Sequence, residues 1–126
     1  MLQTLEKLRP CTYFDLLLWL LRYRSRVRVV GRSMWPILQP GDEVLIESFV
    51  PNQSVLQVGD IVTLWHPTQS DLKIIKRITQ IEYSETELQR YFLQGDNAEE
   101  STDSRHFGWI KADQILGKVV CRFDGA

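Results

Sequence analysis

Long hydrophobic runs are missing from this sequence. The one strongly apolar stretch, Leu16-Leu17-Leu18-Trp19-Leu20-Leu21, falls far short of the ~20 residues that cross a bilayer, and Asp15 bounds it on one side. No basic start with a small-residue cleavage site stands ahead of it, which argues against a cleavable secretory signal. Histidine and cysteine are equally scarce: His66 and His106, Cys11 and Cys121, with no close ligand spacing among them. A zinc site is therefore not expected, and neither histidine sits in a recognisable Ser-His-Asp setting. One bridge between the two cysteines is conceivable. With no framework around them, the expectation is free thiols in a reducing, cytoplasmic compartment. Charge of one sign is also lacking, since 15 basic residues face 16 acidic ones for a net of −1, and nothing points to nucleic acid as an electrostatic partner. Neither a Gly-x-Gly-x-x-Gly nor a Walker A pattern occurs, so a phosphate cradle is unsupported. No cofactor and no metal are expected.

What is present organises itself simply. A length of 126 residues suits one domain, read as a helical segment over 1–22 and a β-rich core over 23–126. Thr12 is a candidate N-cap with Asp15 three residues on, and Arg22 and Arg24 close the apolar run, which are start and stop signals of a short helix. Apolar side chains would surround that helix. Two readings stand: residues 12–24 dock on anionic lipid or a partner, or they pack as a lid over the core. Short strands are expected near 25–31, 43–48, 60–66, 72–83, 90–95 and 115–123, joined by Gly-Asp, Pro-Asn and Asp-Ser turns. Such spacing predicts a mainly β fold, a small coiled sheet or barrel-like core with one short N-terminal helix.

Three segments carry candidate chemistry. In the first, Gly31-Arg32-Ser33-Met34-Trp35-Pro36, a serine ends an apolar run just before a proline-stiffened turn. Arg24, Arg26 and Arg28 alternate with Ser25, Val27 and Val29, and Gly31 and Ser33 continue the dry parity, which would point the Ser33 hydroxyl inward. In the second, Leu72-Lys73-Ile74-Ile75-Lys76-Arg77-Ile78, strand parity groups Lys76 with Leu72, Ile74 and Ile78. A lysine among aliphatics either loses its proton to desolvation and becomes a base, or snorkels its ammonium out of the sheet edge. The third runs from Gly95-Asp96-Asn97 to Ser101-Thr102-Asp103-Ser104-Arg105, a turn signal followed by alternating polar residues able to project to one side. Met34 reads as a wall of a substrate cleft or as simple core.

Taken in order, these segments resemble the motifs of the type I signal peptidase family: Gly-x-Ser-Met-x-Pro, Lys-Arg in a strand, then Gly-Asp-Asn with Ser-x-Asp-Ser-Arg. Gly41-Asp42 and Gly59-Asp60-Ile61-Val62 fall where that family also has them, and the resemblance covers roughly residues 27 to 120. Within the family the chain looks most like the small maturation proteases of nickel-type superoxide dismutase, with its short core and its Phe107-Gly108-Trp109 segment. The resemblance implies a mostly β catalytic core and a Ser-Lys dyad with Ser33 as nucleophile and Lys76 as general base. It also implies that Ser101 hydrogen-bonds the lysine amine while Asp103 and Arg105 brace the loop behind it. Gly31 and Met34 would border the substrate. Gly31 stands where some members carry a hydroxyl donor, so a second oxyanion donor beside the Ser33 N–H comes from elsewhere, and Ile37 replaces a frequent threonine. Larger members insert a sizeable segment between the lysine and Gly-Asp-Asn. Here only 18 residues (77 to 94) intervene, which predicts a bare cleft.

The expected function is a serine endopeptidase that removes an N-terminal propeptide from a protein precursor, with the pro-form of nickel superoxide dismutase as the substrate the resemblance implies. A general signal peptidase acting at the membrane is the enzymatic alternative, and a non-catalytic β module binding peptide by strand addition is the other. The expected location is the cytoplasm, with peripheral membrane contact through residues 12–24.

Overall fold

A computed structural model describes residues 8–51, 53–85 and 89–123. Helix α1 (Tyr13–Leu20) precedes strands β1 (Ser25–Arg28), β2 (Glu43–Ser48), β3 (Ile61–Trp65), β4 (Lys73–Glu82) and β5 (Arg90–Gln94). A one-turn helix α2 (Ser104–Phe107), β6 (Ile110–Lys111) and β7 (Ile115–Arg122) complete the chain. The seven strands form one antiparallel sheet in the order β1-β2-β7-β3-β4-β5-β6, which is not closed into a barrel. The mainly β core with a short N-terminal helix is thus what the sequence predicts. Its additions are α2 and β6, too short for periodicity to reveal, and β1 ends at Arg28 rather than near residue 31.

Two apolar clusters hold the sheet. Val62, Leu64, Ile78, Tyr91, Leu93 and Ile110 anchor one, while Val29, Met34, Leu38, Val44, Ile46 and Val119 anchor the other. Neighbouring residues of one strand divide between them, as Ile61 and Val62 do, because successive side chains point to opposite faces. One pairing detail shapes the site. Strand β4 pairs with β3 from Lys73 opposite Trp65 to Arg77 opposite Ile61, but its pairing with β5 begins only at Arg77. Residues 73–76 therefore form a local edge.

The helix starts as its sequence predicts. The Thr12 hydroxyl accepts from the Asp15 N–H while the Asp15 carboxylate accepts from the Thr12 N–H, a reciprocal capping box. Arg9 binds both Asp15 oxygens, at 2.6 and 2.9 Å, and holds this buried carboxyl well below the usual range. Beyond the cap the helix covers little. Tyr13, Phe14, Leu17 and Leu20 are exposed, while Trp19 meets Phe123 edge-on beneath the Arg26 guanidinium. Among the described residues, no helix is long and apolar enough to cross a membrane.

The cysteines correct the sequence reading: Cys11 and Cys121 are joined in a disulfide, not held as free thiols. Composition was silent because the partners lie 110 positions apart and meet only once the N-terminal segment lies along β7. There Pro10 bridges Arg122, the Cys11 N–H donates to the Arg122 carbonyl, and the Arg122 N–H donates to the Arg9 carbonyl. Bonds of this kind persist in oxidising surroundings, which weighs against the reducing compartment expected from the sequence. A cross-link closing so long a loop removes much of the entropy of the unfolded chain. Cys121→Ser should lower stability by roughly 2–5 kcal/mol relative to the oxidised protein. The check is chemical denaturation with and without reductant: the reductant should shift the midpoint of wild type and leave that of the variant in place.

Candidate active site

Local backbone chemistry sets Ser33. Strand β1 stops at Arg28, and Gly31 takes φ +81°, a left-handed conformation natural to glycine, so the chain leaves the sheet and turns through residues 31–38. The orientation of Ser33 is therefore a property of this turn and not of strand parity. Ser33 is half-buried. Met34 packs into the second of the two core clusters with 1% exposure, together with Val29 and Leu38.

Lys76 has the burial that its parity with Ile74 and Ile78 predicts, with 4% of its surface exposed. It lies on the stretch of β4 that has only β3 beside it. Burial pushes its amine below the ordinary lysine value; the negative charge of Asp103 opposes this, and the positive charge of Arg105 adds to it. Ser33 and Lys76 line the same cleft, of about 240 Å³. Its walls are Val27–Val30 at and just past the end of β1, Thr63 of β3, and Leu72 with Lys73–Ile75 at the start of β4. Gly31 and Met34 are not among the lining residues.

The Gly95–Arg105 loop closes behind this pair. Asp103 is fully buried, and its carboxylate accepts from the Gly95 N–H (2.9 Å), the Ser101 hydroxyl (2.7 Å), and the Arg105 Nε (2.9 Å) and Nη2 (2.7 Å). It also caps α2. Burial works against its charge, but the Arg105 guanidinium, the Gly95 and Arg105 N–H groups and the Ser101 hydroxyl together hold its carboxyl well below the usual range. Ser101, Asp103 and Arg105 are thus brought together as one bonded unit. Because Ser101 gives its proton to Asp103, it offers other neighbours its lone pairs.

Gly95 and Asn97 are the contributors that a turn signal alone undervalues. The Asn97 N–H donates to the Ser33 carbonyl at 2.9 Å, and its side-chain amide donates to the Arg32 carbonyl at 3.1 Å. A Cβ on Gly95 would lie 2.3 Å from Ser101 Oγ and 2.6 Å from the Ser33 carbonyl oxygen, so only glycine admits this approach. Asp96 between them forms a buried double hydrogen bond with Arg77, whose Nη1 also donates to the Gly59 carbonyl at 2.6 Å. The Gly-Asp-Asn tripeptide was the visible signal. Its physical content is close backbone approach, one buried ion pair and a clasp on the serine turn.

A larger recess of about 380 Å³ is lined by Arg9, Asp60, Arg77 and Lys118, among others. Each of its three cations is already ion-paired, to Asp15, Asp96 and Asp60 respectively. It holds neither the serine nor the buried lysine.

These arrangements can be set beside known proteins. The family model described as signal peptidase, peptidase S26, matches residues 11–88 and 82–123. The chain belongs to the peptidase S26 signal peptidase family. It is similar to mitochondrial ATP-independent inner membrane protease subunit 1a of Arabidopsis thaliana, at 32% identity over 78% of this chain and 69% of that protein. Mitochondrial inner membrane protease subunit 1 of Homo sapiens is 31% identical over 71% of this chain and 63% of its own length. Signal peptidase IB of Staphylococcus aureus shares 59% identity over a short stretch, 27% of this chain and 18% of that protein. The chain thus spans somewhat under or over two thirds of the length of the mitochondrial relatives.

Two expectations follow from this S26 geometry. Gly95→Ala should push the loop off both Ser33 and Ser101, lowering stability by about 1–3 kcal/mol, while Gly41→Ala, strained at φ +93°, should leave the 95–105 loop in place. Thermal melts and amide exchange at Asn97 check this. The second concerns Lys76. Its folded pKa is depressed, so between that value and ~10.4 the unfolded chain binds the extra proton, and stability rises with pH across the window. Lys76→Met, similar in shape and never charged, should raise the denaturation midpoint at pH 7, and the gain should shrink by pH 9.5. A variant less stable than wild type at both values would contradict the desolvation argument.

Proposed function

We propose that this chain is a serine endopeptidase in which Ser33 is the nucleophile and Lys76 the general base, and that it removes an N-terminal extension from a protein precursor. The observation that carries the reading is a lysine with 4% exposure and a lowered pKa lining the same cleft as the serine. A serine hydroxyl is a poor nucleophile until a neighbour takes its proton, and a desolvated amine does so without an imidazole. In this mechanism Ser33 Oγ bonds to the scissile carbonyl carbon as its proton passes to Lys76 Nζ, and the Ser33 N–H meets the oxyanion. Collapse breaks the C–N bond, Lys76 returns the proton to the leaving amine, and a water then repeats the sequence on the ester. Ser101 orients the lysine by accepting from its amine, while Asp103 and Arg105 fix Ser101. Membership of the S26 family supports the reaction class.

The substrate we put forward is the pro-form of a nickel superoxide dismutase, on the resemblance of the short core and the 94–105 and 107–109 segments to the proteases that mature it. For location we propose peripheral contact with a membrane through residues 12–24. The exposed Tyr13, Phe14, Leu17 and Leu20 and the arginines at 22 and 24 suit an anionic surface, and the named mitochondrial relatives are inner membrane proteases.

Ser33→Ala and Lys76→Ala should each lower kcat on a cleavable precursor by at least ~10³-fold. Lys76→Arg should be equally inactive, because a guanidinium stays protonated and cannot act as base. Intact-mass analysis of precursor incubated with each protein reads the result, and an active Lys76→Arg variant would remove the lysine from the role of base.

A further inference from the structure

One polar side chain of the cleft belongs to neither the dyad nor its supporting loop. Thr63 lines the cleft with Ser33 and Lys76 and, at 2% exposure, is the most buried of the lining residues, so it forms the base. Among the described residues, no group donates to its hydroxyl or accepts from it. The sheet accounts for this. Thr63 stands between Ile75 of β4 and Gly117 of β7, and its neighbours on the same face of β3 are Ile61 and Trp65. Ile75, Gly117 and Ile61 have no polar side-chain atom, and the Trp65 ring is taken by the Lys73 ammonium, 5.3 Å from its centre. A buried hydroxyl without a partner is costly, so anything that brings it one is favoured.

The charged lining residues leave that hydroxyl alone. Lys73 turns its head to Trp65, and the Arg28 guanidinium reaches within 3.9 Å of where a Cβ on Gly41 would stand; neither Trp65 nor Gly41 lines the cleft. The base therefore offers a ligand one neutral hydroxyl between aliphatic walls of Val27, Val29, Ile74 and Ile75. A hydroxyl both donates and accepts, so it pairs with a second hydroxyl in either sense. A valine in the same place would instead seal it in unpaired. Adjacent side chains of an extended peptide point to opposite sides, so only alternate ones enter the cleft and a single hydroxyl at its base meets one of them.

We propose that Thr63 is a specificity-determining residue whose hydroxyl hydrogen-bonds the hydroxyl of a threonine or serine at one position of the precursor. The proposal rests on the peptidase reading for the nature of the ligand, and on the cleft alone for the hydroxyl. One neutral hydrogen bond sets the expected preference at about fivefold for Thr over the isosteric Val.

The test is a set of fluorescent peptides built on one cleavable sequence, with Thr or Val placed in turn at each position up to five residues either side of the cut. Ser and Ala pairs cover positions too narrow for a β-branched residue. In wild type the hydroxyl/apolar ratio of kcat/KM should reach about five at one position and stay near one at the others. In Thr63→Val that ratio should fall to near one, whereas Thr63→Ser should keep it. Because valine has the shape of threonine and leaves no hydroxyl unpaired, Thr63→Val should also melt no lower than wild type. A flat profile in wild type, a profile unchanged in Thr63→Val, or a Thr63→Val protein that melts lower overturns the proposal, the last by showing a hydroxyl already bonded within the fold. The same peptides titrated by anisotropy against Ser33→Ala, with and without Thr63→Val, read the preference without any bond being cut. Tighter binding of the hydroxyl peptide with no cleavage by wild type would sink the peptidase reading and keep this one, and equal binding would sink this one whatever is cleaved.

Discussion

A carboxylate with no access to solvent organises the candidate site. Asp103 draws in a backbone N–H from Gly95, a hydroxyl from Ser101 and two donors from the Arg105 guanidinium. Taking one ionised group out of water without such partners would be prohibitive, so the loop folds in the one way that supplies them. Each donor belongs to a different part of the loop. Satisfying Asp103 therefore fixes the end of β5, the Ser101 side chain and the start of α2 at one stroke.

That ordering reaches the serine turn through Gly95 and Asn97. The loop approaches so closely that a methyl group at residue 95 would overlap both Ser101 and the Ser33 carbonyl, and the Asn97 N–H bonds that same carbonyl. Strand β7 holds the turn from its other end, where Arg122 donates to the Ile37 carbonyl at 3.3 Å. Cys121, the neighbour of Arg122, carries the bridge to Cys11. The turn that presents Ser33 is thus clasped by hydrogen bonds to its carbonyls while Met34 and Leu38 anchor it in the core.

How much of this was legible in the sequence depended on how local the physics was. The Thr12–Asp15 capping box, the strand spans other than the end of β1 and the two-residue β6, and the burial of Lys76 rest on periodicity and near neighbours, and they emerge as expected. Carrying strand parity from Val29 to Ser33 did not hold, because Gly31 ends the extended run that parity requires. The disulfide, the capping of α2 by Asp103 and the fit of Gly95 against two residues from other segments are meetings of distant positions. A single sequence holds the residue types for them but not the encounter.

Burial is the largest influence on the Lys76 amine, and Arg105 acts in the same direction. A buried lysine beside a lone buried carboxylate would keep its proton and form an ion pair, and a protonated amine cannot accept another. Asp103 does act on Lys76 in that direction. Arg105, bonded to both Asp103 oxygens, sets a positive charge against it, and both its proximity to Lys76 and its hold on Asp103 disfavour the ammonium. Desolvation is then left as the largest influence on the amine. On this account Arg105 does more than brace a loop: it offsets part of the pull that the ionised Asp103 exerts on the amine proposed as the general base.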